Sequence, residues 1–421
     1  MKFENIVGYE QIKKELELIN NAISNYKLLR PKGIITPRGV VLVGAPGLGK
    51  TLFATEFAKE SKREIFLVRK TEPSVNFCKR FKAILEDASL KQPSIIVLDD
   101  MDQWKNSDRF EENSDVFSIL QSYIDDCIGS DVFIFATVNS LFKIPESLYR
   151  SGRLNPIKLY EPCFNDKKRI IELNLKKYKM NRDIDIDYIA KLLQDKSCAD
   201  LEEVINRAGI LAGYKGHTEI STIDIVESVL RLNTSIPLDT SSRVTQLLKQ
   251  VAYHEAGHVL VSECLEPGSV IVSTIDGNGS PSGYTMYFQE DESKKSYKAR
   301  LIRVLTLLAG KAAEEIVFGL PSTGCFSDLE RAGDVISEEV SDLGLFGFMC
   351  LDSHNNKSSE SSKWVKNLKI TTLLEEYYLR VKYMIVSNRE FLNQIADALL
   401  DKRLLISKDI NDIRKKCLIV E

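Results

Sequence analysis

The run at residues 39–51, GVVLVGAPGLGKT, constrains the fold of this chain more than any other stretch. It starts as a short, largely β-branched run, which reads as a buried strand. GAPGLGKT then matches the eight-residue pattern G-x-x-x-x-G-K-[ST], and a helical pattern follows over Thr51–Ser61. A strand, a glycine-rich turn and a helix in that order make a phosphate cradle. Gly44, Gly47 and Gly49 let the backbone wrap phosphates with its N–H groups, and the helix N-terminus adds a favourable dipole. In such a loop Gly44, Ala45, Pro46, Gly47, Leu48 and Gly49 surround the phosphates. Lys50 reaches the β and γ phosphates of ATP, and Thr51 holds Mg2+. A glycine-rich turn with no nucleotide is the competing reading, and the complete pattern in its strand-to-helix context argues against it.

The rest of residues 1–160 continues this alternation. Val40–Val43, Ile65–Arg69, Ile95–Leu98 and Val132–Ala136 are short apolar runs, with helical segments such as Thr51–Ser61 and Phe77–Leu90 between them. That is the pattern of a doubly wound α/β sheet. The third run ends in acids, SIIVLDD. Asp99 is expected to bind Mg2+, directly or through water, and Asp100 to polarise the attacking water. Residues 161–232 have no such strands and read as a small helical bundle. NTSIPLDTSS, residues 233–242, reads as a linker. Residues 243–421 read as mostly helical, with a strand region over Val270–Phe288 and a polar, low-complexity loop over 353–363.

Composition excludes several classes. At 421 residues, two or three domains are expected. A net charge of −3 gives no basic excess, which points away from a general nucleic-acid binder. The eight cysteines are dispersed and form no CxxC pair, so a reducing, cytoplasmic compartment is the expectation. The N-terminus is charged from residue 2 onward, and no run approaches the roughly 18 apolar residues of a membrane span.

A second chemistry appears in AYHEAGH, residues 252–258, which holds two of the chain's four histidines. On a helix His254 and His258 are one turn apart and share a face, the spacing at which two neutral imidazoles grip one Zn2+. Glu255 stands beside the first of them as a candidate general base for hydrolysis. The face of an ordinary helix is the competing reading. A catalytic zinc needs a third protein ligand and an open position. The other histidines, His217 and His354, fall in the helical bundle and the polar loop.

Taken in order, the P-loop, the acid-ended strand, FATVNS and LYRSGRLN resemble an AAA+ ATPase. The resemblance implies that Asn139 is the sensor of the γ-phosphate. It implies that Arg150 and Arg153 reach the ATP of a neighbouring subunit, which requires a homohexameric ring. SCADLEEVINRAG, residues 197–209, is similar to the family's lid helix near the adenine, and Ile6, Val7 and Gly8 match its N-terminal adenine segment. HEAGH together with LAGKAAEEIVFGLPSTGCFSDLERAG, residues 308–333, resembles the peptidase domain of FtsH-type zinc proteases. There the third ligand is an aspartate after an STGA-type turn, which matches Asp328. Glu314 and Glu315 stay open as alternative ligands or as groups behind the ligands. GYTM, Gly283–Met286, matches the strand along which a peptide substrate pairs.

The resemblance thus implies an α/β P-loop AAA+ ATPase domain with a helical lid, followed by a mainly α-helical zinc metallopeptidase domain. The expected activity is that of an ATP-dependent zinc metalloendopeptidase, with Zn2+, ATP and Mg2+ as cofactors and proteins or peptides as substrates. Three departures stand out. Family members carry transmembrane segments ahead of the ATPase domain, so this chain reads as a variant without them or a trimmed one, and membrane association stays open. TEPSVNF, residues 71–77, lacks the family's aromatic pore grip, with Val75 or Phe77 as substitutes. Asp100 replaces a glutamate and loses a methylene of reach. Two alternatives follow: a zinc peptidase whose ATPase is weak or only gates access, and a non-proteolytic ring that remodels partners.

Overall fold

The computed structural model of the chain describes residues 3, 5–34, 36–71, 74–104, 114–127, 130–150, 152–234, 246–276, 283–288, 296–347 and 360–420. The chain divides into two compact units, residues 1–186 with 193–220, and residues 187–192 with 221–421. Among the described residues no helix is long and apolar enough to cross a membrane.

The first half runs α1 (Glu10–Ser24), α2 (Tyr26–Leu29), β1 (Gly39–Val43), α3 (Lys50–Glu60), β2 (Glu64–Val68), α4 (Ser74–Leu90), β3 (Ser94–Leu98), α5 (Ser114–Asp126), β4 (Val132–Val138) and β5 (Leu154–Lys158). The helices α6 (Phe164–Leu175), α7 (Ile186–Leu192), α8 (Cys198–Tyr214) and α9 (Thr222–Thr234) follow. The five strands form one parallel sheet in the order β2-β3-β4-β1-β5. Its central strands are apolar on both faces because helices cover both. Val40, Leu42, Ile95, Val97, Phe133 and Phe135 pack on Phe53 and Phe57 on one side. Val41, Ile96, Leu98, Ile134 and Ala136 pack on Phe81, Trp104 and Phe117 on the other. Because β3, β4 and β1 are neighbours, their carboxyl ends bring the segments after Leu98, Val138 and Val43 together.

Two features depart from the sequence expectation. β5, LNPIK, was not anticipated, because Asn155 and Pro156 interrupt its apolar character. It is an edge strand of the sheet, where a missing N–H is tolerated. Phe77, expected as a substitute grip, is 0% exposed, with its ring 5.8 Å from that of Phe81 and 5.1 Å from that of Trp104. It is a core residue and is not presented to a substrate. The side chain of Val75 lies outside the described residues.

The second half runs α10 (Gln246–Leu265), β6 (Val270–Thr274), β7 (Tyr284–Tyr287), α11 (Tyr297–Phe318), α12 (Phe326–Ser341), α13 (Glu360–Ser387), α14 (Arg389–Lys402), β8 (Leu404–Ile406) and α15 (Ser407–Arg414). Helix α10 is the centre of this half. It packs against α11, α14 and β6, and the whole run from His254 to Cys264 is buried. Its core partners include Val304, Leu305, Leu308, Phe391 and Leu392. The three strands form an antiparallel sheet in the order β7-β6-β8, so β7 is an edge strand. The expected strand region over Val270–Phe288 is the β6–β7 pair. β8 was not anticipated, because three apolar residues between helices carry no periodicity. Residues 235–242 of the expected linker and 353–359 of the polar loop lie outside the described residues.

Candidate functional site

The nucleotide residues gather at the carboxyl end of the parallel sheet. The P-loop turns between β1 and α3 with φ of 79° at Gly47 and 89° at Gly49, a left-handed geometry that side-chain residues rarely adopt. Lys50 is buried, and its Nζ donates to the carbonyls of Gly44 (2.8 Å) and Ala45 (2.9 Å) and to Asn139 Oδ1 (2.8 Å). Burial lowers its pKa, an effect that Asp100, Asp102 and Asp99 oppose. Thr51 Oγ1 donates to Asp99 Oδ1 at 2.8 Å, and Thr137 Oγ1 donates to the same oxygen at 2.9 Å. Thr51 and Asp99, the two residues expected at Mg2+, are therefore in direct contact. Asp100 follows with φ of 51°, which turns it off the line of β3, and its N–H is held by Thr137 Oγ1 at 2.9 Å. Burial raises the Asp100 carboxyl, and the neighbouring Asp99 raises it further.

Two groups here escaped the sequence reading. Arg69 donates from Nε and Nη2 to Asp99 Oδ2 (3.0 and 2.9 Å), which takes up the carboxylate's second oxygen. Asp102 is buried and accepts from the backbone N–H of Asn139 (3.1 Å) and from its Nδ2 (3.2 and 3.4 Å). It fixes the amide so that Oδ1 faces Lys50. The signal for Asp102 was the third acid in LDDMD, four residues past the end of β3.

The two candidate arginines differ. Arg150 is exposed. Arg153 is clamped within its own chain: Nε and Nη2 donate to Asp125 (3.0 and 2.7 Å), and Nη1 donates to the Ser147 carbonyl. Arg38 Nη1 also lies 3.7 Å from Asp125.

The metal candidates lie on α10 and α12. His254 Nε2, His258 Nε2 and Asp328 Oδ2 form a triangle with all three sides 3.1 Å. Neighbouring ligand atoms of a tetrahedral zinc with bonds of about 2.0–2.1 Å lie about 3.3 Å apart, so the three atoms fit one face of such an ion and leave its apex open. Each ring is held from behind. His258 Nδ1 meets the Thr306 carbonyl at 2.7 Å, and His254 Nδ1 meets Glu314 Oε1 at 2.6 Å. With Nδ1 donating to these partners, each ring in its neutral form presents its Nε2 lone pair to the triangle. Burial pulls the His254 pKa down, but Asp328 and Glu314 outweigh it and raise it to about 10. Asp328 is pushed up by burial and, more strongly, down by the two histidines, to well below the carboxylate range. This cluster of negative charge around an imidazole is what a divalent cation would neutralise. The approach is tight: a Cβ on Gly310 of α11 would lie 2.4 Å from His254 ring atoms.

The two alternative acids separate. Glu314 is 1% exposed and stands behind His254, accepting from the backbone N–H (2.5 Å) and Oγ (3.1 Å) of Ser322 in the turn that leads to Asp328. Glu315 belongs to another cluster, with Tyr378 Oη at 2.5 Å and Lys382 Nζ at 2.6 Å. Glu255 is buried beside the triangle, and its Oε2 accepts from Thr285 Oγ1 of β7 at 2.6 Å.

The family described as ATPase family associated with various cellular activities (AAA) matches residues 40–160, and Peptidase family M41 matches residues 244–413. The ATP-dependent zinc metalloprotease FtsH of Karelsulcia muelleri is 28% identical over 435 residues, covering 98% of this chain and 70% of that protein. FtsH of Helicobacter pylori strain J99 is 29% identical over 445 residues with the same two coverages. FtsH 2 of a Thermoanaerobacter species is 25% identical over 423 residues, covering 98% of this chain and 82% of that protein. An AAA match in the first half, an M41 match in the second and this similarity along nearly the whole length make the chain similar from end to end to FtsH-type ATP-dependent zinc metalloproteases.

Proposed function

We propose that this protein hydrolyses ATP and cleaves protein or peptide substrates, and that it works as a homohexamer. Residues 1–160 and 161–232 serve as the ATPase and its lid, and residues 243–421 as the peptidase. The observation that carries the reading is the 3.1 Å triangle of His254, His258 and Asp328 with Glu255 buried beside it. His254, His258 and Asp328 would hold a zinc ion, which would supply Lewis-acid chemistry at the site. Glu255 accepts the proton of the attacking water and passes it to the leaving amine as the C–N bond breaks. Glu314 and Thr306 orient the two rings. A peptide adds alongside β7, an edge strand of the small sheet among the described residues.

In the ATPase, Lys50 and the P-loop bind the phosphates, Thr51 and Asp99 hold Mg2+, Asp100 orients water and Asn139 senses the γ-phosphate. Exposed Arg150 is the better placed of the two arginines to reach a neighbouring subunit. Replacing Glu255 with glutamine tests the assignment. Cleavage of an unfolded substrate should vanish while zinc content and ATP turnover persist; continued proteolysis refutes it.

One observation favours a second reading, in which the ATPase gates entry without forcing folded proteins through. Phe77, the aromatic of the TEPSVNF segment, is locked in the core. Degradation of an unfolded and a stably folded substrate, each with ATP, ADP or a chelator, separates the two. Cleavage of the folded substrate only with ATP supports threading, and cleavage of the unfolded one alone supports gating.

A further inference from the structure

We infer that Thr285 is a positioning residue for Glu255, so that the edge strand expected to receive the substrate also aims the base. The inference rests on the reading of Glu255 as the base. Thr285 Oγ1 has one hydrogen, and a carboxylate can only accept, so that hydrogen goes to Glu255 Oε2 at 2.6 Å. Ser273 Oγ lies 2.9 Å from Thr285 Oγ1 and must therefore be the donor of that second bond. The result is an ordered line of hydroxyls running from β6 through β7 to a carboxylate on α10. Each bond polarises the next, and the last is charge-assisted and short.

Strand pairing creates this line. Ser273 and Thr285 are direct register partners in the β6–β7 ladder. A slip of one residue would turn Thr285 to the opposite face and break both bonds. The other side of the carboxylate is also set by this strand. A Cβ on Gly283 would lie 2.2 Å from both Glu255 Cγ and Oε1, so the backbone that leads into β7 lies directly against the acid. Glu255 belongs to α10, yet its carboxylate is gripped by β7 through a hydroxyl at one oxygen and by close backbone packing at the other. A peptide that pairs along β7 stiffens the same strand, which ties occupancy of the edge to orientation of the base.

The test compares Thr285→Val, Thr285→Ser and Ser273→Ala with Glu255→Gln in the full chain. The substrate is a fluorogenic unstructured peptide at saturating zinc and ATP. Valine keeps the shape and β-branching and removes the hydroxyl, which is both the donor to Glu255 and the acceptor from Ser273. We expect T285V to lower kcat about 10- to 100-fold with KM within twofold, as for a misplaced catalytic group. Zinc content and ATP turnover stay at the wild-type level. T285S should restore kcat to within about threefold, and S273A should fall in the same direction by a smaller factor. The inference is overturned if T285V keeps wild-type kcat while E255Q is inactive, if T285V raises KM alone, or if serine fails to rescue it. Activity surviving in E255Q is a different outcome, which removes the base assignment itself.

Discussion

Replacing Glu314 with glutamine isolates the support behind His254, a proposed zinc ligand, from the ligand itself. Glu314 Oε1 accepts from His254 Nδ1, and Oε2 accepts from the backbone N–H of Ser322. Glutamine has the same size but only one oxygen, so its NH2 must oppose one of those two N–H groups. If the NH2 faces His254, the ring adopts the other tautomer and its Nε2 carries a hydrogen in place of the lone pair. If it faces Ser322, the turn that sets Asp328 loses its tether. Either way one charge-assisted hydrogen bond of about 1.5–3 kcal/mol is lost. Groups behind metal ligands typically contribute 10- to 100-fold in affinity, about 1.4–2.8 kcal/mol, so the two estimates agree. Zinc affinity, measured by competition with a chromophoric chelator, should weaken by about 10- to 100-fold, and peptidase activity should recover at high zinc. Glu315→Gln, one residue along the same helix but paired with Lys382 and Tyr378, should leave zinc affinity unchanged. An E314Q protein within threefold of wild type, or an E315Q protein equally weakened, refutes the reasoning.

Further outcomes follow from other contacts. Asp102→Ala frees the Asn139 amide, so ATP turnover should fall about tenfold while nucleotide binding by equilibrium titration changes little. Lys382 and Tyr378 lower the Glu315 pKa from 4.5 to about 2. A carboxylate with a lowered folded pKa contributes stability that is present above 4.5 and lost as pH falls through about 2. E315Q should therefore flatten that part of the acid denaturation profile. Arg153 and Asp125 form one bidentate pair, so in a double-mutant cycle R153A and D125A should be strongly non-additive in thermal stability. Additive effects would show that the clamp is not a unit.

Chemistry carried by residues close in sequence was legible without coordinates. Residues 44–51 form one turn and one helix start, so spacing alone sets their geometry. His254 and His258 face the same way because a helix repeats every 3.6 residues. The apolar runs of β1, β3 and β4 showed themselves because parallel strands are buried on both faces.

Tertiary structure decided whatever depended on distant partners. Asp328 is 74 residues from His254 and joins it only because α12 and α10 both pack against α11. Glu314 and Glu315 are adjacent in an identical chemical context along the chain, and a helical rotation of about 100° between neighbours sends one to His254 and the other to α13. Arg150 and Arg153 likewise look equivalent in RSGR, yet Asp125 on α5 captures only the second. Phe77 looked available for a substrate and is held in the core by Phe81 and Trp104. The grip of β7 on Glu255 also required the fold, because Thr285 comes within reach only through its pairing with Ser273 across two strands. Spacing specifies a residue's direction within its own element, and packing between elements chooses the partner that direction meets.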